Sequence, residues 1–414
     1  MLVQSDLDNY PRFNEYRASF DEVRIEKHRL FEIAFARTKS SKEFEKFIEA
    51  HKWWLDTYSL FMALKEHFEG RPWFEWPREL RLHKEEAIEE IRPQISERVR
   101  YHQFVQFLFF SQWARLKAHA EERGIRIVGD IPYYVALDSA DIWGSPELFE
   151  LDSRGQPSRV AGVPPDYFSA TGQLWGNPLF RWGRMKKDGY AWWKARMRAA
   201  LDMVDMVRID HFRGFESYWA VPSGSTTAEN GKWEKGPGMT FFRSLEKDFG
   251  ELPLIAEDLG MITEDVWILR DNAKIPGMKV LQFAFDDNPD NPYLPHNYEQ
   301  RSLVYTGTHD NNTSVGWYKS LGDREKHLVR VYMGSGDDQF LERFLRMAYS
   351  SCAEMCIVPL QDILGLDESH RFNTPGTGHG NWDWRFTWDM FDESRMGMVA
   401  EFAWTYGRFP RKKE

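Results

Sequence analysis

The chain has 414 residues, 29% of them charged, and a formal net charge of −10; this length makes one large domain or two to three ordinary ones, and the acidic balance argues against a nucleic-acid partner. Cys352 and Cys356 are its two cysteines, which excludes a disulfide framework and, with no second Cys or His pair nearby, a zinc site. No apolar run approaches the roughly 18 residues of a membrane span and no signal-peptide pattern opens the chain, so a cytoplasmic protein with no membrane contact is expected.

Residues 12–124 read as helix. "SSKEFEKFIEAHKWWLDTYSLFMALKEHF" places Phe44, Phe47, Ile48, Trp54, Leu55 and Tyr58 at helical spacing behind a Ser41 cap. "GRPWFEWP" interrupts the run with two prolines. A second long helix then ends at Gly124, in the position where glycine closes helices. From residue 125 short apolar runs alternate with helical ones: "IRIVGDIP", "DMVRID", "LIAEDLG", "MKVLQFAF", "SLVYTGTHD" and "CIVPLQDIL". Strand then helix, repeated, predicts a parallel sheet with helical crossovers. Cys352 and Cys356, at the end of the last helical run, read as small half-buried thiols.

Acidic residues stand at the ends of these strands: Asp130, Asp210, Glu257 with Asp258, Asp310 and Asp362. That edge carries the active site of a βα barrel. An open doubly wound sheet gathers ligand residues there too, but no G-x-G-x-x-G follows any strand, so a barrel is favoured. The expected fold class is α/β, a (β/α)8-type TIM barrel with helical insertions. Six strands are legible, not eight. Any one of these acids could instead cap the next helix, a reading that suits Asp258 and Asp362 best.

Asp210, Glu257 and Asp310 form the constellation that suggests chemistry. Retaining glycoside chemistry needs one ionised carboxylate as nucleophile and one protonated carboxyl as acid/base. Arg208, on the same strand face as Asp210, would keep it ionised; Glu257 would need a drier or more negative setting. A third carboxylate could steady an oxocarbenium-like charge, and His309 adjoins Asp310. His211 and Arg213 read as residues that orient the turn.

"VRIDHFRGF", "AEDLG" and "YTGTHDNNT" resemble the three catalytic regions of the α-amylase clan. With "GDIPYYVALDSADIW", "AGVPPDYFSATGQLWGNPLFRW", "GMKVLQFAFD" and "NPYLPHNY", the chain is similar to glycoside hydrolase family 77, the 4-α-glucanotransferases. The resemblance implies Asp210 as nucleophile, Glu257 as acid/base and Asp310 as transition-state stabiliser, with Arg208 and His309 assisting. It implies a glucan-contacting lid loop at 161–182, bearing Asp166, Tyr167, Phe168 and Trp175. Its substrates would be maltooligosaccharides and α-1,4-glucans, and its chemistry calls for no metal or organic cofactor.

The family's "SLPS"-like turn and "GDSPYQ"-like stretch, on barrel strands one and two, do not occur in the sequence. On that pattern residues 1–124 are a helical insertion region before the third strand. Residues 125–414 then carry strands three to eight within one structural domain, a truncated barrel lacking its first two strands. Two alternatives remain at this level: an α-glucan hydrolase of the same clan, and a non-catalytic α-glucan-binding fragment.

Overall fold

A computed structural model describes residues 2–38, 41–165 and 169–409. The chain clusters into two compact units, Phe31–Ile275 and a second formed by Val3–Leu30 with the residues from Pro276 onward.

In the first unit the helices Lys42–His67 and Glu85–Glu121 lie side by side. Ser41 caps the former by accepting from the Phe44 N–H at 3.1 Å, which satisfies one of the orphan donors of a helix start. Their shared apolar face closes around Phe44, Leu55, Leu64 and Phe104. Between them, Pro72 and Pro77 each precede a short helical turn, Trp73–Glu75 and Arg78–Arg81.

Seven strands follow in this unit: β1 (Val128–Ile131), β2 (Arg159–Val163), β3 (Gln173–Pro178), β4 (Met206–Ile209), β5 (Ser217–Pro222), β6 (Lys232–Lys235) and β7 (Leu254–Ala256). β1, β4 and β7 are parallel neighbours, with Asp130 opposite Arg208 and Arg208 opposite Ile255. The helices Ala191–Met203 and Met239–Phe249 make their crossovers. Val207, Ile209 and all three residues of β7 are buried, as expected of strands covered on both faces.

The other four strands form an antiparallel sheet in the order β3-β2-β5-β6. The segment 161–182, read from sequence as a loop, therefore holds most of β2 and all of β3. Its glycines serve close strand approach: a Cβ on Gly162 would sit 2.5 Å from the Gln173 carbonyl oxygen, and one on Gly172 (φ +69°) 2.4 Å from that of Val163. Glycine clusters mark such approaches as well as irregular loops.

Among its described residues the second unit has the strands β8 (Gly277–Val280), β9 (Ser302–Tyr305) and β10 (Met355–Ile357), parallel and with β9 in the middle. The helix Phe340–Ser350 buries Phe340, Phe344, Leu345 and Ala348 on one face. Residues 12–17, expected to be helical, are not. The Asn14 side chain accepts from the N–H groups of Tyr16 and Arg17 at 2.8 and 3.0 Å, a local bond that competes with helix, and Arg17 bridges to Trp384 and Asp383. "CIVPLQDIL" is strand only to Ile357, because Pro359 turns the chain into the helix Leu360–Leu364. Cys352 is exposed rather than half-buried, since the preceding helix stops at Ser350; burial pushes the Cys356 thiol up to about 12.

Candidate active site

In the first unit, β4 alternates buried Val207 and Ile209 with Arg208, so the guanidinium leaves the strand on the opposite face. It donates to Asp130 at the end of β1, and at 2.9 Å to Asp210 Oδ1 just past its own strand. Burial alone would lower the Arg208 pKa, but the surrounding carboxyls of Asp130, Asp210 and Glu257 outweigh it and raise it. Arg208 therefore stays a fixed cation.

Asp210 and Glu257 each stand one residue beyond adjacent strands. The backbone ladder continues past the strand ends, Glu257 N to Ile209 O at 3.0 Å and Phe212 N to Glu257 O at 3.1 Å. Glu257 is pinned by two backbone donors, His211 N to Oε2 at 2.8 Å and Leu259 N to Oε1 at 2.9 Å. Burial pushes its pKa up to about 7, helped by the charge of Asp210 and opposed by Arg208 and the two N–H bonds. A carboxyl so placed holds its proton near neutrality.

His211 takes a left-handed backbone (φ 53°) that aims its N–H at Glu257. Its ring is buried against Tyr133 and Tyr134, and burial pushes its pKa down to about 4. Trp175 on β3 meets that ring edge-on at 4.8 Å, so a residue named from the sequence reaches the turn after β4. Asp166, Tyr167 and Phe168 lie outside the described residues. Arg213 ties the turn down, donating to the Met261 carbonyl and to Ser217 Oγ and stacking at 3.9 Å over Trp233. Both residues do orient the turn, and His211 in addition holds Glu257.

In the second unit, Asp310 lies in the turn after β9. Its N–H donates to Thr308 Oγ1 at 3.2 Å, while Thr308 is itself tied to Asn311 Oδ1. Asn373 donates to Asp310 Oδ1 at 2.6 Å and Arg371 to the Asp310 carbonyl at 2.6 Å. His309 Nε2 lies 3.4 Å from Asp310 Oδ2 and its ring 5.1 Å from that of Trp382.

The remaining strand-end acids are structural. Asp258 forms a buried pair with Arg270 at 2.7 Å, and it is Thr263 that precedes the next helix. Asp362 accepts from Thr306 Oγ1, Ser314 Oγ and the Ser314 N–H, each at 2.6 Å. It thus satisfies the start of a distant helix, not its own. Sequence reasoning missed Tyr133 and Tyr134, whose signal was the aromatic pair directly after β1. It missed Asn373 and Arg371 as well, which carry no local signal.

The site thus holds an ion-paired carboxylate and a buried, protonatable one at the ends of adjacent parallel strands of an α/β protein. The comparisons narrow this. A model of glycoside hydrolase family 77, described as 4-alpha-glucanotransferase, matches residues 2–390. The 4-alpha-glucanotransferase of Synechocystis sp. is 46% identical over 417 residues, 98% of this chain and 83% of that protein. That of Thermus thermophilus is 48% identical over 358 residues, 84% and 72% respectively. Among solved structures, the amylomaltase of Streptococcus agalactiae in complex with acarbose matches with a TM-score of 0.94 at 34% identity, covering 98% of this chain and 83% of that one. The chain belongs to glycoside hydrolase family 77, and its α/β fold is close to that of amylomaltase.

Proposed function

We propose that this chain is a 4-α-glucanotransferase that moves α-1,4-glucan segments between maltooligosaccharides by a retaining double displacement, in the cytoplasm. The observation that carries the mechanism is the pairing of Asp210, held by Arg208, with Glu257, whose proton is kept to about pH 7. An Asp210 oxygen attacks the anomeric carbon while Glu257 gives its proton to the leaving O4 of the donor. The C–O bond breaks, a glycosyl ester forms on Asp210, and a shortened glucan departs. Glu257, now a carboxylate, takes the proton from the 4-hydroxyl of an acceptor glucan. That oxygen attacks the same carbon, breaks the ester and frees Asp210; two inversions give net retention.

In this reading Asp310, oriented by Asn373, steadies the positive charge of the transition state, and His309 contributes at the same sugar. Asp166, Tyr167, Phe168 and Trp175 contact glucan from the lid segment 161–182, and exclusion of water there favours a sugar over hydrolysis. The parallel strands are read as the third to eighth of a (β/α)8-type TIM barrel, with residues 1–124 the insertion before them.

Incubation with maltotriose tests the proposal. Glucose together with a ladder of longer glucans supports transfer. Glucose and maltose without longer products point to a hydrolase, and binding without turnover to a glucan-binding fragment.

A further inference from the structure

A cavity of about 290 Å³ lies in the first unit between the helices Lys42–His67, Ala140–Gly144 and Ala191–Met203. None of the residues assigned to the proposed chemistry lines it. Gly144 makes the wall tight: a Cβ there would stand 2.6 Å from Thr57 Cγ2. The size is near the lower bound of small-molecule sites.

The lining narrows the ligand chemistry. Trp53 presents an indole 49% exposed, and Trp54 beside it is held by His51 and Phe110. Arg196 contributes a cation, but its donors already go to the carbonyls of Pro132 and Tyr133 at 2.6 and 3.2 Å and its face lies on Trp193 at 4.9 Å. Asp141 faces the same cavity as an exposed carboxylate, and its charge acts on Arg196. One wall therefore disfavours an anion and the other a cation. Tyr58 accepts from Gln106 at 3.3 Å, and burial raises its phenol pKa, so its O–H is left to donate.

Flat apolar rings, an exposed carboxylate acceptor balanced by Arg196 and a phenol donor are the recognition set for an uncharged pyranoside. Its axial C–H face stacks on indole while its hydroxyls bond at the edge. We propose that this cavity is a non-catalytic binding site for α-glucan, with Trp53 as the stacking platform and Asp141 as the hydroxyl acceptor. The cavity alone specifies a pyranoside; the choice of α-glucan rests on the activity proposed above. Arg196 connects the site to the segment after β1 whose Tyr133 and Tyr134 pack the His211 ring.

The test uses the full chain carrying Asp210→Asn, which removes turnover, titrated calorimetrically with maltotetraose. Adding Trp53→Ala or Asp141→Ala should weaken one class of binding site about fivefold or more. Asp141 is exposed, so its variant reports even where loss of Trp53 disturbs folding. An isotherm unchanged by either substitution overturns the proposal, as does a site that inorganic phosphate occupies and maltose does not. Turnover of maltotriose by the unsubstituted chain is measured separately. Turnover with an unchanged isotherm removes the second site alone. A substitution-sensitive isotherm without turnover removes the transferase reading and leaves a pyranoside site.

Discussion

The backbone N–H of His211 donates to Glu257 Oε2 at 2.8 Å, so the residue that follows Asp210 in sequence holds the carboxyl on the neighbouring strand. The left-handed backbone of His211 makes this possible. One turn of chain thereby sets the position of two carboxyls at once, and the buried neutral ring beside it keeps the turn dry.

Glu257 should set the pH dependence. In the proposed mechanism the first step needs its proton, so the rate constant for transfer should fall as pH rises through about 7. Glu257→Gln should lower turnover about a thousandfold. Its stability should change in a defined direction. The folded pKa lies above the ordinary 4.5, so between those values the folded chain binds more protons than the unfolded chain. Stability therefore falls with rising pH across that window, and the whole penalty, about 1–3 kcal/mol, is present above it. The Gln variant lacks that slope; thermal unfolding from pH 5 to 8 of both proteins measures the difference.

Arg208→Ala should act through its neighbours. It leaves Asp130 and Asp210 without their shared guanidinium and removes the charge that holds the Glu257 pKa down. Turnover should drop about a hundredfold, and the basic limb of the pH–rate profile should move upward. A limb that stays in place would mean that Arg208 does not govern the acid/base.

Asp258 and Glu257 are consecutive, yet their substitutions should differ in kind. Asp258 and Arg270 have side chains 3% exposed and paired at 2.7 Å. Asp258→Ala removes one of the carboxylates on the buried Arg270 guanidinium, which keeps Asp271 at 2.8 Å, and should cost about 2 kcal/mol of stability, seen as a fall in Tm. The remaining folded protein at low temperature should keep the pH profile of the unsubstituted chain.

Asn373→Ala removes the 2.6 Å bond to Asp310 Oδ1 and little packing. Turnover of maltotriose should fall about tenfold with Tm nearly unchanged. A fall in Tm with unaltered turnover would make Asn373 a structural residue only.

The strands "MVRI" and "LIA" were readable as short apolar runs ending in acidic residues. Their ends were less so. "SLVYTGTHD" is strand only to Tyr305, and the next residue, Thr306, donates its hydroxyl to Asp362, 56 residues away. β5 and β6 were not legible, since β5 pairs with β2 across a long stretch of chain and "KWEK" has little apolar alternation. Within the site, Arg208, Asp210 and Glu257 followed from strand-end position and charge. The bonds that orient Asp310 did not, because Asn373 and Arg371 are brought to it by tertiary folding alone.

The charge of Asp210 is one of the reasons Glu257 holds its proton so tightly. In the proposed mechanism that charge vanishes when Asp210 becomes an ester. The glycosylated chain thus relaxes the grip on the Glu257 proton at the moment the proton has left, and the residue is poised as a base for the acceptor. When the ester breaks, the charge returns and so does the affinity for the proton just collected. Each half-reaction resets the partner for the next, so a cycle that exchanges one glycosidic bond for another of the same kind can run in either direction without an external proton reservoir.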